Sequence, residues 1–225
     1  MIRAVVFDFD GVIANSEPLH FRAYRDVLAE CGVSLTESAY YERYLGYDDV
    51  GAFKAIGSDA GHSFSEQDIV DLVSQKSVRL EELEHVGSVL FPGAREAITR
   101  LAAAWPVAIA SGALKAEIVR VLDHESLRAH VPIVVSAEDT AESKPDPAPY
   151  LRAVDLLAVG VPALSPSQCV AIEDSRWGLL SARTAGLRTI GITHTYAAAD
   201  LTDTADIVIE HLDQLTLELI ANIAR

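Results

Sequence analysis

Ala4-Val5-Val6-Phe7-Asp8-Phe9-Asp10-Gly11-Val12 is the stretch that decides the fold. Its first four residues, β-branched and aromatic, read as a short buried strand, and Gly11 ends it. Asp8 and Asp10 then stand at the carboxyl edge of that strand. Burying two like charges so close together is costly unless a cation or a shared proton compensates. In an open α/β sheet that edge is where ligands bind. The stretch therefore predicts a strand end that holds a metal and does chemistry. A plainer reading makes the two aspartates caps for the next helix. A calcium loop fits less well, because Val12 stands where the third ligand belongs.

Outward from this strand, 225 residues suit one large domain, or one domain with a small insertion. Half of them are hydrophobic, enough to bury a sizeable core. A formal net charge of −15 argues against nucleic acid or an anionic membrane as partner. It leaves room for a small phosphorylated metabolite, which needs only a few local cations and backbone N–H groups. Cys31 and Cys169 match no zinc or redox spacing and read as small buried hydrophobes in a reducing compartment. The chain starts directly in a strand, without the basic and apolar regions of a signal peptide. No apolar run approaches the ~20 residues of a membrane span. The expectation is a soluble, cytoplasmic protein, monomeric or weakly dimeric.

After the strand, Ser16 reads as a helix N-cap, with Glu17 and Pro18 in the first turn. Tyr24, Val27, Leu28 and Cys31 follow at helical spacing, and Gly32 stops the helix. Ser16 and His20, four apart, share one face. His20 is either an ordinary packed histidine or part of a site rim. From Ser34 to Gly87 strand signals vanish. Ser65-Glu-Gln-Asp68 is a capping box opening a helix whose stripe is Ile69, Leu72, Val73, Leu80 and Leu83. Lys76 falls inside that stripe. It either snorkels past its neighbours or faces a cleft where its ammonium meets a phosphate.

Beyond Phe91-Pro92-Gly93 strands and helices alternate. Val107–Ala110 is a buried strand ending at Ser111-Gly112. A hydroxyl there, before a helix from Leu114 to Leu122, can bind phosphate, although a plain turn reads the same way. Val131–Val135 is a third strand. Glu142-Ser-Lys144-Pro145-Asp-Pro147 is a rigid loop whose lysine is either a solvated turn residue or a site cation. Gln168–Ile172 is a fourth strand, closed by Glu173-Asp174-Ser175. Two acidic strand ends in one parallel sheet would converge, giving an oxygen-rich site for a hard cation, most naturally Mg²⁺. Arg188–Ile192 and Ile207–Ile209 are further strands, and Leu215–Ile223 is a last amphipathic helix. Neither a Walker loop nor Gly-x-Gly-x-x-Gly occurs.

Asp8-Phe-Asp10-Gly-Val-Ile, Ser111-Gly112, Lys144-Pro145 and Glu173-Asp174, in this order, resemble the four motifs of the haloacid dehalogenase superfamily, in its phosphatase and phosphomutase branch. The resemblance implies a doubly wound, mostly parallel Rossmann-like α/β core in residues 1–14 and 88–225, with a small helical cap inserted over residues 15–87. It implies Asp8 as nucleophile, Asp10 as acid and base, and Mg²⁺ held by Asp8, Asp10, Glu173 and Asp174. Ser111, Gly112 and Lys144 would bind the phosphoryl group, with Ser16, His20, Gly46 and Lys76 contributing substrate contacts.

The true dehalogenases of the superfamily lack the second aspartate, so dehalogenation is disfavoured. The β-phosphoglucomutase-like members carry an arginine soon after the cap glycine that grips a second phosphate. Here the matching stretch is Leu45-Gly46-Tyr47-Asp48-Asp49-Val50, and an acid there repels such a phosphate. The expected activity is therefore hydrolysis of a small phosphate monoester, of sugar phosphate or phosphoglycolate type. A hexose phosphate mutase is the alternative, and a non-catalytic binding protein of the same fold a remote one.

Overall fold

The computed structural model describes residues 1–45, 47–84 and 87–223. Gly46, one expected substrate contact, therefore lies outside the described residues. In chain order the elements are β1 (Ala4–Phe7), α1 (Glu17–Glu30), α2 (Glu37–Ala39, running into a π-helical turn over Tyr40–Tyr44), α3 (Asp49–Asp59), α4 (Glu66–Glu84) and α5 (Ala94–Ala102). Then follow β2 (Val107–Ala110), α6 (Lys115–His124), β3 (Ile133–Val135), α7 (Ala148–Gly160), β4 (Cys169–Glu173), α8 (Arg176–Thr184), β5 (Arg188–Ile192), α9 (Ala198–Leu201), β6 (Ile207–Ile209) and α10 (Leu217–Asn222). Two compact units result, one of Met1–Asn15 with Val89–Arg225 and one of Ser16–Ser88.

The first unit is a six-stranded sheet in the order β3-β2-β1-β4-β5-β6, with every pair parallel. Strands buried on both faces need continuous apolar runs, and β1, β2 and β4 are buried throughout. The chain leaves β1 for β2 and β3 on one side and returns to β4, β5 and β6 on the other. The order thus reverses between β1 and β4, where open α/β sheets bind ligands. Register places Phe7 beside Ile172, and the Asp8 N–H donates to the Ile172 carbonyl at 2.9 Å. Tyr150, Val154 and Leu157 of α7 pack with Ala4, Val6 and Ala171 of the sheet to form the core beneath that edge.

β3 is shorter than the sequence suggests. Pro132 has no N–H to give a ladder, so pairing starts only at Ile133, although Val131 is buried. The last helix begins at Leu217 rather than Leu215, because the Thr216 hydroxyl accepts the Leu219 N–H and sets the start.

The second unit is helical. Phe21, Tyr24, Tyr40, Phe53, Ile69 and Leu72 belong to its core, with Tyr24 and Phe53 edge to face at 5.0 Å. The box at Ser65 forms as read, Ser65 and Asp68 bonding reciprocally. Ser16 does not cap α1 with its hydroxyl. Its backbone is already helical, at φ −76° and ψ −24°, and its carbonyl takes the Leu19 and His20 N–H groups. Cys31 is exposed at the end of α1, so only Cys169 is the buried hydrophobe expected of both. No helix among the described residues is long and apolar enough to cross a membrane.

Candidate active site

Asp8 leaves β1 at the switch point, buried, with Lys144 Nζ 2.8 Å from its Oδ1. The same ammonium lies 2.6 Å from Glu173 Oε1 at the end of β4 and 5.2 Å above the Tyr150 ring. Glu173 is fully buried and its partners are complete. Oε1 takes Lys144 and the Tyr150 hydroxyl (3.1 Å), and Oε2 takes the N–H and the hydroxyl of Ser175 (3.1 and 2.9 Å). A carboxylate has about four acceptor directions, and here all are used. Ser175 serves twice, since its hydroxyl also accepts the Gly178 N–H and caps α8.

Asp8, Glu173 and Asp174 bring carboxylate oxygens within 4.8 Å of one another, all three buried. Burial and the Glu173 charge push Asp174 up to about 7. Burial, with the Glu173 charge next, also holds Asp8 well above the usual carboxylate range, against the pull of Lys144. Burial works against the Lys144 charge, but Asp8 and Glu173 outweigh it and hold the ammonium firmly protonated.

Three carboxylates facing one ammonium would leave two negative charges in a buried space once all were ionised, and that cost is what burial sets against their ionisation. Asp8 Oδ1, for all its closeness to Lys144, has no aligned hydrogen bond. The donor set, oxygen only and two charges in excess when ionised, fits a hard divalent cation such as Mg²⁺. Because Glu173 is saturated, Asp8 and Asp174 are the carboxylates with capacity for it.

Asp10 sits outside this carboxylate group on an exposed position of the turn 9–14, whose Ile13 and Ala14 N–H groups bond the Phe9 carbonyl. Gly11 in that turn has φ +75°, and a Cβ there would overlap the Asp174 carboxylate. Only glycine lets the turn lie so close to Asp174. Ser111 is buried just past β2, which pairs Ile109 with Phe7, so Asp8 and Ser111 stand on neighbouring strand ends. The Ser111 hydroxyl accepts the Ala113 N–H at 3.1 Å and keeps its own proton to donate. A Cβ on exposed Gly112 would meet open space.

In the helical unit Lys76 does not snorkel. It is 3% exposed, with Nζ 2.8 Å from Asp49 Oδ1, 3.0 Å from His20 Nδ1 and 4.9 Å above the Tyr24 ring. The Tyr24 hydroxyl donates to the same Asp49 oxygen at 2.6 Å. Since an ammonium only donates, His20 Nδ1 accepts and the imidazole is neutral. Burial, then the Lys76 charge, lowers His20 to about 4. Burial opposes ionisation of Asp49, but Lys76 prevails and keeps its carboxyl below the usual range. Asp48 caps α3, accepting the Gly51 N–H at 2.6 Å. Neither Lys76's link to Asp49 nor the role of Tyr150 was visible in the sequence, because no local pattern connects residues so far apart.

A model of the haloacid dehalogenase-like hydrolases matches residues 2–186. Protein CbbY of Rhodobacter capsulatus is 32% identical over 91% of this chain and 91% of its own length. Hexitol phosphatase B of Escherichia coli K12 is 31% identical over 96% of this chain and 95% of its own. Among solved structures, CbbY of Rhodobacter sphaeroides in complex with phosphate superposes with a TM-score of 0.78, at 26% identity, covering 98% of this chain and 100% of that one.

Proposed function

Because the chain belongs to the haloacid dehalogenase-like hydrolases, we propose that it is a Mg²⁺-dependent phosphatase of small sugar phosphate monoesters. The observation that carries this reading is Lys144 held between Asp8 and Glu173, with Asp174 alongside. Relatives named for hexitol phosphates point to the same substrate class.

In this proposal a carboxylate oxygen of Asp8 attacks phosphorus as the ester oxygen leaves, forming an aspartyl-phosphate. Asp10, on its exposed turn, gives the leaving oxygen a proton and takes one back from the water that cleaves the intermediate. The Lys144 ammonium and the Ser111 hydroxyl, with the N–H groups at Gly112, hold the transferring oxygens. Glu173 keeps Lys144 in place. Mg²⁺, held by the Asp8 and Asp174 carboxylates and the Asp10 carbonyl, would offset the charge that gathers as phosphate meets carboxylate. Ser16, His20 and Lys76 stay proposed substrate contacts on the resemblance alone. Asp49 takes the charge of Lys76, which suits a neutral, hydroxyl-bearing end and disfavours a second phosphate. The working form is a cytoplasmic monomer or weak dimer.

The test is phosphate release from a panel of hexose, hexitol and pentose monophosphates and phosphoglycolate, with and without Mg²⁺, alongside Asp8→Asn. Magnesium-dependent release that vanishes in Asp8→Asn is expected. Conversion of glucose 1-phosphate to glucose 6-phosphate under a bisphosphate primer, without net release, would overturn hydrolysis in favour of a mutase.

A further inference from the structure

The loop after β5 reaches back over β4 to the turn of the proposed acid–base residue. β5 and β1 are not neighbours, since β4 lies between them. Yet His194 Nδ1 stands 2.9 Å from the Gly11 carbonyl, and the Thr195 hydroxyl bonds the Asp174 carboxylate. A carbonyl only accepts, so Nδ1 carries the proton and donates it. The imidazole is itself fixed by Phe91, stacked on it at 3.9 Å between centroids and 17° between planes.

The hold falls on the turn at its glycine. Gly11 is required because any Cβ would strike Asp174. Glycine, however, is the residue whose backbone defines its own orientation least. The turn's own bonds, Gly11 N–H to the Ala14 carbonyl and Ile13 and Ala14 N–H to the Phe9 carbonyl, leave the Gly11 carbonyl, next in the chain to Asp10, to be held by His194 from outside the turn. We propose that His194 is a positioning residue. Its Nδ1–H clamps the Gly11 carbonyl and so orients Asp10, while Thr195 next to it steadies Asp174. This rests on the phosphatase reading for its kinetic arm only.

Three variants separate the donor from the ring. His194→Phe keeps the stack on Phe91 and removes the donor, His194→Ala removes both, and His194→Asn places an amide N–H near the position of Nδ1. Steady-state phosphate release is measured at saturating Mg²⁺, Mg²⁺ affinity by calorimetry without substrate, and folding by thermal unfolding. His194→Phe is expected to unfold with the wild type and lose roughly ten- to hundredfold in kcat, the range for groups that orient a metal site from outside it. KM should stay within about twofold, because the clamp orients rather than binds. His194→Asn is expected to recover most of that loss. Thr195→Val should weaken Mg²⁺ binding, and Thr195→Ser restore it. A His194→Phe enzyme with wild-type kcat and Mg²⁺ affinity would overturn the proposal, as would equal losses in His194→Phe and His194→Asn. If the wild type releases no phosphate, the proposed function fails instead, and Mg²⁺ affinity across the same variants alone decides the clamp.

Discussion

Glu173 has four donors on two oxygens, and Gly178 of α8 leaves the room for it. A Cβ at Gly178 would overlap the Glu173 carboxylate, which is hydrogen-bonded on every side and has nowhere to go. Two effects compete in Gly178→Ala. Alanine gains about 1 kcal/mol over glycine in a helix, and overpacking a buried site costs about 1–3 kcal/mol. The displaced group is charged and saturated, so the second effect wins. We expect Gly178→Ala to lose about 1–2 kcal/mol in urea unfolding, and to lose activity as Lys144 shifts with Glu173. An alanine variant as stable and active as the wild type would show that Glu173 does not set the position of Lys144. Gly178 carries no sequence signal of this duty, for it reads as an ordinary residue of an amphipathic helix. Asp8, Glu173 and Asp174 were legible because strand ends concentrate them, and Lys144, in a loop, only through the resemblance of Lys144-Pro145 to the third motif. What Glu173 does for Lys144 was not, because that lies in partners supplied by three separate elements.

At the scale of elements, α4 was read correctly as a helix, and its one discordant residue was left with two readings. Lys76 is buried because α1 and α3 bring it His20, Tyr24 and Asp49, contacts that helical periodicity cannot foresee. This packing has a pH signature. His20 takes a proton near 6.5 when unfolded and near 4 when folded. As pH falls from 6.5 to 4 the unfolded chain gains that proton and the folded one does not, so stability falls across this window. Asp49, held below its usual range, gives up its share only at lower pH. Unfolding free energy measured at pH 7 and pH 4.5 should drop for the wild type and drop less for His20→Gln. Equal drops would place the titration elsewhere. Burial of the pair has a second consequence. Lys76→Met leaves Asp49 with one partner, Tyr24, and about one third of its side chain exposed, so the cost should be about 1–3 kcal/mol. Lys76→Met with Asp49→Asn, which keeps an acceptor for Tyr24, should recover more than half of it. No recovery would mean that the lysine stem, and not its charge, is what the unit packs around.

Across the whole molecule, the strand count followed from short apolar runs alternating with helical patterns, and the mostly parallel class from the resemblance. The order of strands did not, since β1 acquires β2 and β4 as neighbours through pairings more than a hundred residues apart. The −15 charge argues against polyanionic partners and leaves room for a small phosphorylated metabolite. It also bears on any phosphorylated substrate, because at long range a net charge of −15 repels a dianion. Screening shortens that repulsion, the Debye length falling from ~30 Å at 0.01 M salt to ~10 Å at 0.1 M. With Mg²⁺ kept saturating, kcat/KM for a sugar monophosphate should therefore rise with added sodium chloride over this range. Association steered by net charge responds to salt, whereas chemistry inside a buried site is screened much less, so kcat should stay level. A fall in kcat/KM with salt would instead show that Lys144 and its surroundings dominate the field a substrate meets, and that the acidic surface lies too far from its path to matter.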